Sequence, residues 1–503
     1  MISAEVPLKR QPDILEVFGN LDSAAVFTPP RLANVILDLL PADVWRDPDL
    51  RWLDPACKSG VFLREIAKRL MVGLVDAFPE EERRQHILTQ MLYGIATEEL
   101  TAMMTRRTLY CSKDASSVHS VARFPAAAGN IWWRRVEHIF SDKGTCMECK
   151  GQQSDLEKAG RDNKAYAPIH SLGRVALGED WKNMKFDVIV GNPPYQMKDG
   201  GYLASASPLY NFFVDYALSL DPEHVAMIIP SRWFVGGKGL DEFRARMLQD
   251  KHLRVIVDFQ DARVVFPSIN LNGGVCYFHW SKDHEGSCQV TSNSVGLSPS
   301  TTVRRLGEFD ILIRLNGAVE VVRRVLARAE PSFEQKVSTL RPFGLRTYFR
   351  GNEAPQSDDA VLLYQNGGIG WIDRNKIEMN DEWIDSYKVL IPRATDGNEN
   401  YPLPVLTEPI IAEPGSACTE TYLVLGPCVT REEAMNLVAY TKTRFFRFLL
   451  GQRKHTQDNS RDKFRFIPDL ALDQKWTDDK LYDRYGITPE ERQLIAAQIK
   501  EML

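Results

Sequence analysis

Apolar residues along this chain follow two different periods. Leu63, Ile66, Ala67, Leu70, Met71 and Leu74 recur three and four positions apart, the stripe of an amphipathic helix. Short apolar runs at residues 50–53, 91–96 and 188–190 are each closed by polar or turn-forming residues, which predicts inner strands. Residues 100–110 predict a helix after the second run. Beyond Tyr195 the alternation resumes, with helices predicted at 208–220 and 240–249 and strands at 224–230, 253–259 and 274–280. Strands alternating with helices predict an α/β domain whose mostly parallel sheet is covered by helices.

Two stretches depart from this rhythm. Residues 113–179 are polar and predict an insertion, long enough for a subdomain because structureless loops beyond about 15 residues are uncommon in compact domains. The Ser/Thr-rich segment 291–302 predicts a boundary, so the expected division is residues 1–295, carrying the insertion, and residues 296–503. At 503 residues, 44% hydrophobic and 26% charged, the chain has the composition of a soluble globular enzyme. No run approaches the roughly 20 apolar residues of a membrane span, and the first residues lack a signal-peptide core; a cytoplasmic protein without a membrane partner is expected. Eight scattered cysteines fit reduced thiols rather than a disulfide framework. The net charge of −5 excludes a uniformly basic binder but not nucleic acid, because local clusters supply phosphate contacts.

The chemistry concentrates at strand ends. Val188-Ile189-Val190 stops at Gly191-Asn192-Pro193-Pro194-Tyr195, where two prolines fix φ and the carbonyls of Asn192 and Pro193 join the Asn192 amide beside an aromatic ring. Those acceptors suit a flat ring with an exocyclic amine, although any strand followed by a proline turn could look the same. The first predicted strand runs into Asp54-Pro55-Ala56-Cys57-Lys58-Ser59-Gly60 before the helical stripe. This is not a phosphate loop, because the glycine spacing before Lys58-Ser59 is wrong. The second strand ends at Glu98-Glu99, which reads equally as a helix start favoured by the macrodipole. Upstream, Thr28-Pro29-Pro30 precedes an apolar helix and carries an N-cap signal.

Taken in order, these segments resemble the adenine-specific DNA methyltransferases of restriction–modification systems, in the gamma arrangement. Asn192-Pro193-Pro194-Tyr195 resembles their catalytic tetrapeptide, and Asp54-Pro55-Ala56-Cys57 with Gly60 resembles their cofactor loop, from which the chain departs by placing Lys58 at a glycine position. The resemblance covers residues 20–290, including residues 229–234, 236–240 and 273–278, and more weakly 454–503. It implies a Rossmann-like methyltransferase fold, S-adenosylmethionine cradled by Thr28, Pro29, Asp54, Pro55, Ala56, Cys57 and Gly60, and ribose hydroxyls bound by Glu98 or Glu99. It also implies a separate C-terminal target-recognition domain. A target adenine flipped from duplex DNA would donate its amine to Asn192 and Pro193 and stack on Tyr195. Three other readings stand beside this one: a glutamine-amide protein methyltransferase, a restriction–methylation fusion, and an inert methyltransferase-like DNA-binding subunit, which Lys58 brings into view. The stretch before Thr28 is too short for a nuclease, so any restriction endonuclease is expected on a separate chain.

Two further clusters stand apart. Cys146-Met147-Glu148-Cys149, with His138 before it and His170 after, fits a structural Cys₂His₂ zinc site or two free thiols on a turn. Residues 442–465 hold eight Lys/Arg against two Asp, interleaved with Phe445, Phe446, Phe448 and Phe464. Arg453, Lys454, Arg461 and Lys463 are expected to contact DNA phosphates, while Phe445 and Phe448 read at least as well as helix-face core.

Overall fold

The computed structural model describes residues 27–154, 164–170, 181, 184–196, 207–237, 239–267, 271, 273–395, 401–454 and 457–502. Residues 1–26 and, within the predicted insertion, 155–163 and 171–180 lie outside the described residues. The chain forms two compact units, residues 1–293 with 300–312, and residues 294–299 with 313–503.

In the first unit the predicted alternation is realised as β1 (Trp52–Cys57), β2 (Leu92–Ala96), β3 (Ile131–Trp132), a small ribbon of β4 (Val136–Glu137) and β5 (Lys164–Ala165), then β6 (Val188–Gly191), β7 (His224–Pro230), β8 (Leu253–Phe259), β9 (Val275–Ser281), β10 (Cys288–Asn293) and β11 (Ser300–Arg304). Nine of these make one sheet in the order β11-β10-β8-β9-β7-β6-β1-β2-β3. Pairing is parallel from β3 through β7, while β9 runs antiparallel between β7 and β8. Side-chain alternation divides the core between the two faces. Val188, Val190, Ala226 and Ile228 join Leu32, Ile36, Leu63 and Ile66 on one face. Ile189, Val225, Met227 and Ile229 join Tyr210, Val214 and Phe243 on the other. A central strand buried on both faces must be continuously apolar, which is why residues 188–190 carried no alternation.

Three expectations are corrected. The strand predicted at 50–53 continues through Cys57; its register shifts between Asp54 and Cys57, a bulge that tolerates the missing N–H of Pro55. Ile131–Trp132, placed by sequence inside the insertion, is the edge strand of the main sheet, with Gly94 opposite Ile131. The boundary expected at 295/296 falls inside a hairpin: residues 294–299, which link β10 to β11, group with the second unit, while Ser300–Arg304 returns antiparallel to β10 within the first.

The second unit, whose fold the sequence left open, contains two three-stranded sheets. One joins β12 (Ala360–Gln365), β13 (Gly368–Asp373) and β16 (Ser416–Cys418); the other joins β14 (Tyr387–Pro392), β15 (Ile410–Ala412) and β17 (Tyr422–Cys428). Its helices include Asn316–Ala327, Arg431–Lys442, Arg444–Arg453, Asp478–Tyr485 and Pro489–Gln498.

Candidate active site

Strand order reverses between β1 and β6: the chain proceeds from β1 outward to β2 and β3, then returns to the other side of β1. In open α/β sheets the crevice at the carboxyl ends of such strands is where ligands bind. The loops leaving β1 and β6 carry Asp54–Gly60 and Asn192–Tyr195, so both recognised loops flank the reversal. Gly191 permits their approach, since a Cβ there would lie 2.9 Å from Asp54 Oδ1.

Asn192 is buried, and its amide Nδ2 donates to Thr28 Oγ1 at 3.0 Å. Thr28 is buried as well and is not the helix cap; Pro29 occupies that position with Pro30 at the first helical turn, which corrects the capping expectation and frees the hydroxyl for Asn192. The helix Pro30–Leu37 is in turn fastened to Val61–Gly73 by Asn34, whose amide donates to Glu65 at 3.1 Å while Arg69 donates back to it at 2.9 Å. Pro193 is buried and Pro194 half-buried. Tyr195 packs partly against the core, and its phenol is held neutral by burial, with the Cys276 thiol nearby adding to the effect. Its carbonyl accepts from Leu209 N–H at 3.2 Å, and a pocket beside the ring is lined by Pro208, Tyr210, Pro230 and Arg232. Sequence reasoning gave Tyr210 and Arg232 no role; only the closeness of the β6 and β7 ends brings them here.

The cofactor-type loop is tied down from outside. Thr105 and Thr108, three apart on the helix Glu99–Tyr110, donate to the carbonyls of Lys58 at 3.1 Å and Ser59 at 2.7 Å. Neither threonine was singled out in the sequence, where a pair at helical spacing carries no signal of its own. Gly60 adopts a left-handed φ of +76°, and a Cβ there would meet Thr105 at 3.0 Å. Lys58 is absent from the positive-φ residues, so the backbone at this position does not require glycine. Asp54 accepts from Ala56 N–H at 3.1 Å, and burial pushes its carboxyl up to about 7, against the pull of that bond and of the Lys58 charge. A buried acid beside a glycine cradle fits a cofactor that brings positive charge. Pro55, Ala56 and Cys57 are buried in β1. Glu98 and Glu99 are both exposed at the start of the helix after β2, with Glu98 N–H donating to Thr101 Oγ1 at 3.0 Å.

His138, Cys146, Cys149 and His170 are all buried, and their candidate ligand atoms lie within 4.8 Å of one another. Burial and the neighbouring His138 pull His170 down to about 4, so its ring is neutral.

The basic aromatic segment divides. Phe445, Phe446, Phe448 and Phe464 are core. Arg453 is 4% exposed, donates to the Asp462 carbonyl at 3.0 Å and lies over the Phe466 ring. Lys454 directs its ammonium to Thr395 Oγ1 at 2.6 Å and the Val405 carbonyl at 2.7 Å, and burial pulls it down to about 8. Both side chains bond inside the unit, which runs against their expected phosphate role. Arg461 is exposed, and Lys463 is half-buried beside Asp462 at 3.2 Å.

A sheet that presents these loops at its switch point defines a Rossmann-like methyltransferase. Residues 90–266 match the Eco57I restriction-modification methylase family. An uncharacterized adenine-specific methylase of Mycoplasma pneumoniae is 33% identical over 342 residues, spanning 62% of this chain and 80% of the relative. The chain belongs to the family of adenine-specific restriction–modification methylases. Among solved structures, the M protein of the type I restriction enzyme EcoKI is 14% identical with a TM-score of 0.34, over 53% of this chain and 47% of that one. A nuclease-deletion mutant of the Type ISP enzyme LlaGI, in complex with a DNA substrate mimic, is 9% identical with a TM-score of 0.49, over 94% and 47%. The chain thus spans about half the length of these solved structures. Among the described residues no helix is long and apolar enough to cross a membrane.

Proposed function

We propose that this chain methylates the exocyclic amino nitrogen of adenine in duplex DNA, within a restriction–modification system. The observation that carries the reading is the Asn192–Thr28 hydrogen bond. It turns Nδ2 of the amide toward Thr28 and so orients the side chain at the end of β6, where Oδ1 and the Pro193 carbonyl are the acceptors offered to an amine in this reading.

An adenine amine is a poor nucleophile because its lone pair is delocalised into the ring. Two acceptors on its hydrogens favour a pyramidal nitrogen with a directed lone pair, so Asn192 and Pro193 act by position and electrostatics. Tyr195 stacks on the base. Reaching this pocket requires the base to leave the helix, the usual device of enzymes that modify bases.

S-adenosylmethionine, when bound, supplies an electrophilic methyl group on a sulfonium. Asp54–Gly60 and the Thr28–Pro29 segment hold its methionine portion, and Glu98 or Glu99 accepts from its ribose hydroxyls. Lys58 gives no reason to prefer an inert scaffold, since its backbone is unstrained at that position. The second unit is the target-recognition domain in this reading, with Arg461 and Lys463 as its phosphate contacts. A restriction endonuclease on a separate chain is the expected partner.

Transfer of labelled methyl groups to duplex DNA, followed by sequencing for N6-methyladenine, tests the proposal with Asn192→Ala as control. One modified adenine motif, lost in the variant by about 100-fold or more in rate, is the expected outcome. Labelling of protein glutamine in place of DNA, or cofactor binding with no transfer to any DNA, would overturn it.

A further inference from the structure

The inserted ribbon gathers four residues from three separate segments, although His138 and His170 are 32 positions apart in sequence. His138 Nδ1 lies 3.4 Å from Cys146 Sγ and 3.5 Å from Cys149 Sγ. One ring nitrogen has either one proton or one lone pair, so its near-equal approach to both sulfurs is more than a single hydrogen bond from His138 explains. A tetrahedral zinc ion with Zn–S of about 2.3 Å and Zn–N of about 2.05 Å would place N and S roughly 3.6 Å apart, close to both distances.

His170 completes the set. It is 3% exposed, and its Nε2 is buried without a hydrogen-bond partner among the described residues. Its Nδ1 sits 3.1 Å from the Tyr166 carbonyl and 3.0 Å from the Tyr166 N–H. With the proton on Nδ1 donated to that carbonyl, the Nε2 lone pair is available to a metal, the usual support for a ligating histidine. The two imidazole rings meet edge to face at 4.4 Å. A set of two sulfurs and two imidazoles within 4.8 Å of one another selects zinc over magnesium or calcium, which prefer oxygen.

The cluster also packs against the segment that is hydrogen-bonded to the Tyr195 loop. Cys146 and Cys149 pack with Leu209, supported by Phe140, Tyr166, Ile169 and Phe212, and Tyr166 meets Phe213 edge to face. Leu209 N–H is the donor to the Tyr195 carbonyl, and Gln196 bridges Pro208 on the same two segments.

We propose that His138, Cys146, Cys149 and His170 hold a structural zinc ion that fixes the insertion against residues 209–213 and so positions the Tyr195 loop. The ion takes no part in methyl transfer. Because the apolar cluster beside these ligands is small among the described residues, metal binding supplies much of the folding energy of this part of the insertion.

Elemental analysis of the purified full chain should find one zinc per chain, and Cys146→Ser and His170→Ala should each lose it. Because such variants can misfold, the unaltered chain loaded with cobalt(II) provides a second readout. It should show the visible bands of a tetrahedral site and thiolate-to-cobalt charge transfer. A metal-free chain with no such spectrum would overturn the site, and so would zinc retained at full stoichiometry in both variants. Zinc removal should raise hydrogen exchange at residues 195–196 and 209–213; unchanged exchange there would overturn the positioning role while leaving the metal count to stand alone. Neither readout depends on which substrate is methylated.

Discussion

The Asn192 amide and the Thr28 hydroxyl meet at 3.0 Å although 164 positions separate them in the chain. This bond joins the loop after β6 to the entry of the first helix, and it sets the orientation of the proposed base acceptor. Thr28→Val removes the partner while keeping the shape. The expected loss is about 1 kcal/mol of positioning, a roughly five- to tenfold fall in single-turnover methyl transfer. Thr28→Ser should restore most of the rate. A valine variant with unchanged turnover and weakened DNA binding would assign Thr28 to binding instead.

Gly60 combines a left-handed φ with a close approach to Thr105. Alanine there faces about 1–2 kcal/mol of backbone cost in addition to the contact with Thr105. Gly60→Ala should therefore lower Tm and weaken S-adenosylmethionine binding together. Lys58→Gly, by contrast, should leave cofactor affinity within about threefold, because the backbone at 58 already has an ordinary φ and glycine adds only unfolded-state entropy. Calorimetric titration of both variants measures this, and a large gain in affinity for Lys58→Gly would show that the lysine obstructs the site.

Burial holds Asp54 at about 7, above its unfolded value of 3.8. The folded chain therefore binds this proton more tightly than the unfolded chain does. Its contribution to stability is fully present below pH 3.8 and falls as pH rises to about 7, where the folded group finally ionises. A cationic cofactor at the loop favours the carboxylate, so binding near pH 6 should release a proton. Calorimetry in two buffers of different ionisation enthalpy reads that proton directly, and Asp54→Asn should abolish the difference. Identical enthalpies for the unaltered chain would place the cofactor's charge away from Asp54.

How much of this was legible in the sequence depended on whether the signal was local. Residues 188–190 announced an inner strand because burial on both faces demands apolar residues throughout, and residues 63–74 announced a helix by their period. Residues 54–60 and 191–195 drew attention through glycine and proline, whose backbone limits are written in the residue type. Pairing across distance was not legible. Ile131–Trp132 is too short to show a period and became a strand only by lying beside Gly94. Thr105, Thr108 and Arg232 acquire their places from tertiary contact, and the cysteine pair showed its histidines only as candidates. Charge was the most deceptive signal. Arg447, counted among the eight basic residues of 442–465, is fully buried and donates to the carbonyls of Thr443, Pro404 and Lys442.

That division of the basic segment yields its own test. Arg461 is exposed and uses Nε on the Glu334 carbonyl at 2.8 Å, which leaves its remaining donors for an anion; Lys463 stands beside Asp462 and can exchange it for phosphate. If these two contact DNA, Arg461→Gln and Lys463→Gln should each reduce the slope of log K against log salt by about 0.9, with little change in Tm. Arg453→Ala loses a buried hydrogen bond and its stacking on Phe466, at about 1–3 kcal/mol, and should lower Tm. Any effect of Arg453→Ala on DNA binding should then follow the fraction folded and leave the salt slope intact. The reverse result, a flattened slope for Arg453→Ala and an unchanged one for Arg461→Gln, would mean that the segment opens on DNA and turns its buried cations outward.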